Sequence, residues 1–186
     1  DLDSPLDLPH IAHELSRLRE IEWPPFHAAI QAGLGAIMTA HVVIECIDSS
    51  LPATLSKPVL RHLRNELAFS GVIISDDLEM KAVADRYSSQ EMAKLGIAAG
   101  VDHFLVCEKP EVILEFYRAL VRCVEDKLIS HQALMDAAKR SRQWREAYYQ
   151  PPGHERDVLT WVGCGEHRAL LHEIETRAAL IHEHSA

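Results

Sequence analysis

The stretch Gly71-Val72-Ile73-Ile74-Ser75-Asp76-Asp77-Leu78-Glu79-Met80 carries a short β-branched run straight into a cluster of acids. Val and Ile following Gly read as a strand covered on both faces, the kind found in parallel sheets flanked by helices. In barrels built from such strands, chemistry collects at the strand C-terminal ends, so acids at this position are candidates for it.

Two further apolar runs share this character, Ala36-Ile37-Met38-Thr39-Ala40 before it and His103-Phe104-Leu105-Val106 after it. Helical patterns lie between them. Ser56 is placed to cap a helix over 58–67 whose Val59, Leu60, Leu63 and Leu67 share one face. Ser88-Ser89-Gln90-Glu91 is a capping box, and Gly100 ends the helix it opens. This alternation predicts an α/β fold of parallel strands with crossover helices.

Beyond the third strand, 110–126 reads as a helix with Val112, Ile113, Phe116, Leu120 and Val124 as its buried stripe. A second helix follows Ser130, with Leu134, Ala137, Ala138, Ser141, Trp144 and Tyr148 at helical spacing, and Pro151-Pro152-Gly153 ends it. Ahead of the first strand, Leu15, Leu18 and Ile21 suggest a short helix, and Pro24-Pro25 opens another. The expected organisation is a main domain over 1–150, then a linker and a C-terminal amphipathic helix over 151–186.

The chain has 186 residues, 47% of them hydrophobic, which suits a folded domain with a substantial core. No run of residues is apolar enough for a membrane span. The formal charge of -9 argues against a nucleic-acid partner, which needs a basic face. Arg61, His62 and Arg64 stand close together, but beside Glu66 they are expected to form a solvated helix face. The 4 cysteines, Cys46, Cys107, Cys123 and Cys164, form no metal-binding spacing, and Cys107 at the end of an apolar run is expected to be a small buried thiol. His10-x-x-His13 and His182-x-His184 lack a well-placed third ligand, so neither a metal nor a cofactor is expected.

Polar groups stand at the ends of all three predicted strands: His41 after the first, Asp76 and Asp77 after the second, Cys107 and Glu108 after the third. If the strands lie side by side, these groups share one rim.

The segments Ala36-Ile37-Met38-Thr39-Ala40-His41-Val42, Pro52-Ala53-Thr54-Leu55-Ser56, Gly71 to Met80 with Lys81-Ala82, and Ala99-Gly100-Val101-Asp102 occur here in order. Together they resemble the family-3 glycoside hydrolases, in particular their bacterial β-N-acetylhexosaminidase branch, over residues 1–148. The resemblance implies the second half of a (β/α)8 TIM-type barrel followed by C-terminal helices. It implies a carbohydrate substrate bearing terminal N-acetylglucosamine, with Asp76 as nucleophile of a retaining, double-displacement reaction. His41 is assigned a substrate contact on the same ground, Asp77 a supporting role, and the cytoplasm, with cell-wall recycling, is the implied setting.

The family branch resembles an exception among retaining glycosidases, because a histidine in an Asp-Ser/Thr-His loop transfers the proton. The corresponding residues here are Asp3-Ser4-Pro5, so Asp3 is a remnant of that loop and proline occupies the histidine position. His10 and His13 lie a few residues downstream as candidate substitutes. A complete barrel of this type takes roughly 250 residues. The sequence therefore reads as a truncated or degenerate chain, weak or inactive alone, whose open barrel edges leave three outcomes: pairing with a complementary half, self-association, or an unstable product. The alternative reading is a non-catalytic half-barrel that binds sugar or contributes to an assembly.

Overall fold

The computed structural model describes residues 8–149 and 163–183. Those through Tyr148 form one compact unit and those from Tyr149 onward another.

The first unit is built on a parallel sheet of three strands, β2 (Ala36–Met38), β4 (Val72–Asp77) and β5 (His103–Leu105), paired in the order β2-β4-β5. That order follows the chain, as it does around a barrel of βα units. Register pairs Ile37 with Ile73 and Ile74 with His103, and an irregularity between Ile74 and Asp77 brings Asp77 opposite Leu105. A second, two-stranded parallel ribbon joins β1 (His10–Ile11) to β3 (Val43–Ile44). Neither is anticipated from the sequence, since two residues are too few for a strand periodicity to register.

The helices are α1 (Leu15–Arg17), continuing into a π turn over Leu18–Glu22, α2 (Pro24–Gln31), α3 (Lys57–Asn65), α4 (Lys81–Ala84), α5 (Ser89–Ala99), α6 (Pro110–Glu125) and α7 (His131–Tyr148). Three of their ends carry the caps the sequence predicts, while α3 stops at Asn65 and α4 has no counterpart in the sequence reading. The Ser56 hydroxyl accepts from Val59 N at the start of α3, the Ser88–Glu91 capping box opens α5, and Gly100, at φ 113°, closes α5 in the left-handed region that glycine enters freely. The second described unit is α8 (Gly165–Glu183) with the turn before it.

Alternation along β4 sends Ile73 to one face, where it packs with Ile37, Leu60, Phe69, Ala99 and Val101 beneath α3 and α5. A neighbouring cluster of Leu55, Leu78, Val83, Met92, Ile97, Phe116, Cys123 and Ile129 joins α5 to α6, and Phe104 contacts both clusters. Gly96 admits the Phe104 ring: a Cβ there would stand 2.5 Å from Phe104 Cε1.

Three expectations are corrected. Ile113 is 48% exposed, and Cys123 takes the buried position on α6 instead. Cys107 is exposed rather than buried. Arg64 is not on a solvated face: its guanidinium binds Asp102, Phe69 O and Gly71 O, while the His62 ring lies against Trp23 at 4.2 Å between centroids.

The outer edge of β2 is unpaired among the described residues. Val72 N donates to Gly35 O and Thr39 N donates to Ile74 O, so the alternate backbone groups of Ala36 and Met38 face away from β4. Beside that edge lies an apolar groove lined by Trp23, Phe26, Met38, Val42 and Leu67, with Met38 58% and Phe26 49% exposed.

Candidate active site

The ends of the three strands do share a rim. Asp76 and Asp77 close β4, His41 follows β2, and Cys107 follows β5. Cys107 N donates to Asp77 Oδ1 at 3.3 Å, and the His41 ring reaches Asp77 O at 3.0 Å, so residues after the two outer strands meet at the end of the central one.

Asp76 is half-buried. Its Oδ1 accepts from Asp77 N at 2.8 Å, and among the described residues its other oxygen takes no hydrogen bond. A carboxylate held by one oxygen has a fixed orientation and one oxygen left for reaction. Asp77 has a different task. Its Oδ1 accepts from Glu79 N at 3.1 Å as well as from Cys107 N, which ties the turn after β4 to the loop after β5.

Two further groups brace this rim. The buried Ser75 hydroxyl accepts from Leu105 N at 2.9 Å, locking β4 to β5 one residue before Asp76. The Glu79 carboxylate accepts from Glu108 N at 2.6 Å and from Lys109 N at 3.2 Å, at the N-terminus of α6. Those backbone donors hold the Glu79 carboxyl below its usual range. Glu108, expected as a rim acid, presents its backbone amide to this contact.

His41 is fully buried. Nε2 meets Asp77 O and Nδ1 meets Thr54 Oγ1, each at 3.0 Å, so both ring nitrogens are engaged inside the protein and neither is left for a sugar hydroxyl. Burial lowers its pKa, against the opposing pull of the Asp77 carbonyl and the Asp76 and Asp77 carboxylates. Thr54 Oγ1 also lies 2.8 Å from Thr39 Oγ1 and 3.2 Å from Ala40 O. Neither threonine is singled out by the sequence reading, although Thr54 sits in the quoted Pro52–Ser56 segment. A hydroxyl bonded to a residue thirteen positions earlier leaves no periodic mark in sequence.

Asp3, Ser4 and Pro5 lie outside the described residues. His10 is exposed and its Nδ1 stands 3.0 Å from Glu45 Oε1, and His13 is exposed as well. Among the described residues no group of His, Cys, Asp and Glu could hold a metal ion, and no helix is long and apolar enough to cross a membrane.

The profile of the Glycosyl hydrolase family 3 N terminal domain matches residues 1–143. A β-hexosaminidase of Neisseria meningitidis serogroup C is 39% identical over 114 residues, which is 61% of this chain and 31% of that protein. A β-hexosaminidase of Chromobacterium violaceum is 33% identical over 145 residues, covering 77% of this chain and 40% of its own length. Among solved structures, a glycoside hydrolase family 3 β-N-acetylglucosaminidase from a Paenibacillus species superimposes with a TM-score of 0.76 at 33% identity, over 84% of this chain and 31% of that one. The chain thus spans less than half the length of these relatives. The parallel sheet with its crossover helices is a section of the TIM-type barrel of these neighbours.

Proposed function

Since this chain belongs to glycosyl hydrolase family 3, we propose that it supplies the nucleophile-bearing section of a retaining β-N-acetylhexosaminidase, with Asp76 as the nucleophile. The observation that carries this reading is the Asp76 carboxylate at the C-terminal end of the central strand, oriented through one oxygen by Asp77 N, with no hydrogen bond to the other among the described residues. The other oxygen attacks the anomeric carbon of a terminal N-acetylglucosamine. The glycosidic C–O bond breaks, a glycosyl ester forms on Asp76, and water then cleaves that ester with net retention.

The leaving oxygen needs a proton, and Pro5 has none to give. Asp3 is the remnant of an orienting carboxylate without its histidine. Turnover by this chain is therefore confined to aglycones that depart without protonation, since loss of a general acid costs about 10²–10⁴ in rate. Cell-wall fragments in which N-acetylglucosamine is joined to an anhydro-muramic acid leave only with a proton, so they are the proposed physiological substrate, met in the cytoplasm, where a proton donor from outside this chain completes the site.

The test is release of the aryl group from an activated aryl N-acetylglucosaminide by the full chain and by Asp76→Asn. Release that the asparagine variant abolishes supports the assignment, and equal release by both proteins refutes it. A second reading is favoured by the open β2 edge with Met38 and Phe26 beside it, which suits a section that binds sugar and completes its fold by self-association. No release, together with saturable binding of N-acetylglucosamine, would establish that reading instead.

A further inference from the structure

We propose that His41 is a positioning residue: held as the Nε2–H tautomer between the Asp77 carbonyl and the Thr54 hydroxyl, it anchors that carbonyl and thereby sets the Asp76 carboxylate. The inference rests on the assignment of Asp76 for its catalytic part only.

The proton positions follow from what each group can do. Asp77 O is a carbonyl and only accepts, so His41 Nε2, 3.0 Å away, carries a hydrogen. In a neutral ring Nδ1 is then bare and accepts. Its neighbour at 3.0 Å is Thr54 Oγ1, whose single proton goes to this nitrogen in preference to Ala40 O at the longer 3.2 Å. With that proton committed, the 2.8 Å contact between Thr39 and Thr54 is made by the Thr39 hydroxyl donating. The result is one directed series, from Thr39 to Thr54 to His41 to the Asp77 carbonyl, in which both ring nitrogens are paired and Ala40 O gives up the Thr54 proton.

The same cage accommodates the charged ring. A protonated Nδ1 donates to Thr54 Oγ1, and the Thr54 proton turns to Ala40 O at 3.2 Å. No heavy atom moves. Among the described residues the charged groups facing the ring are the Asp76 and Asp77 carboxylates, which favour the cation, while full burial favours the neutral form. Burial being the larger influence, the neutral series describes the resting state.

What the ring holds is a residue fixed at several points. Asp77 gives its N–H to Asp76 Oδ1, its carbonyl to His41 and, at 3.2 Å, to Met80 N, and its carboxylate to Glu79 N and Cys107 N. The carbonyl lies in the peptide joining Asp77 to Leu78 and the N–H in the peptide joining Asp76 to Asp77, so loosening the carbonyl reaches the amide that aims Asp76 through the torsions at the Asp77 Cα. Misplacement on that scale costs roughly 10²-fold in rate without touching substrate binding.

The test has a spectroscopic and a kinetic arm. In long-range ¹H–¹⁵N spectra of the labelled full chain, with the His41 signals identified by their loss in His41→Gln, the ring is expected as a single Nε2–H tautomer at pH 8. A ring carrying its proton on Nδ1 overturns the proposal. Thr54→Val is expected to keep the Nε2–H tautomer, which Asp77 O still selects, and to shift the Nδ1 resonance as its donor is lost, and an unchanged Nδ1 resonance overturns the Thr54 contact. Kinetically, with the activated aryl N-acetylglucosaminide, His41→Leu is expected to lower kcat about 10²-fold with KM unchanged. Gln, which keeps an amide donor for Asp77 O, is expected to recover most of the loss. Equal loss in both variants overturns the positioning role. If the parent chain shows no release, the assignment of Asp76 fails, and the spectroscopic arm still decides the hydrogen-bond series.

Discussion

Asp102 is held between two arginines, Oδ2 at 2.7 Å from Arg64 Nη2 and Oδ1 at 2.7 Å from Arg140 Nη2, with none of its side chain exposed. It also accepts from Ile73 N at 2.8 Å, so one carboxylate joins α3, α7 and the central strand. Arg64 extends the same tie to Phe69 O and Gly71 O. Burial draws the pKa of Arg64 down and Asp102 draws it back up. An acid in this setting cannot be removed without stranding its partners.

Asp102→Ala is therefore expected to cost about 3–5 kcal/mol, because two partly buried guanidinium groups and the Ile73 amide lose their acceptor. Urea unfolding midpoints at pH 7 measure it. The triple variant that also replaces Arg64 and Arg140 with Met is expected to cost less than Asp102→Ala alone, since it leaves no unpaired charge.

Gly96→Val forces a side chain onto the Phe104 ring, which lies 2.5 Å from the position of the first added carbon. Overpacking of this kind costs about 1–3 kcal/mol. Thermal unfolding checks the loss, and Phe104→Leu in the same chain is expected to restore part of it.

His41 confers a pH dependence with a definite sign. Its folded pKa lies below the ordinary 6.5, so the unfolded chain binds more protons between the two values. The stability it contributes is fully present above pH 6.5 and is lost as pH falls through the folded pKa. Unfolding free energies of the parent and of His41→Leu, measured from pH 8 to pH 5, are expected to differ in slope below pH 6.5, with the parent losing stability faster. Glu79 acts lower on the scale. Its stabilisation of the loop before α6 is present above the usual 4.5 and lost as pH falls through its depressed value, a slope that Glu79→Gln removes.

Pro5→His is expected to raise turnover of aglycones with poor leaving ability by about 10²–10⁴-fold and of activated aryl glycosides by less. Steady-state rates on the two substrate types measure this. No gain on either would mean that the reaction is limited by something other than the proton donor.

Met38→Lys places a charge on the unpaired edge of β2 and is expected to reduce self-association. Sedimentation at several concentrations reports it, and an unchanged distribution would place the association surface elsewhere.

How far the sequence carried the fold depends on the kind of signal each part leaves. Strands β2, β4 and β5 and helices α3, α5, α6 and α7 each leave a periodic run or a cap, and each is legible. The meeting of Asp76, Asp77 and Cys107 at one rim follows once the strands are known to be parallel. Asp102 with Arg64 and Arg140 left no such trace, because its partners lie thirty-eight positions away in either direction. His41 was legible as a strand-end polar group, while its burial and its two internal partners were not, since both depend on how Thr54 and Asp77 come together in three dimensions.

The Tyr148 hydroxyl donates to Gly33 O across a separation of 115 residues. Its ring lies over Gly35, at the start of β2. The last turn of α7 is thereby seated on the entry to the first strand of the main sheet. During synthesis, β2 must wait beside its neighbours until nearly the whole unit has left the ribosome before this contact can form. A nascent chain stalled ahead of α7 would hold the strands of the sheet without this clasp.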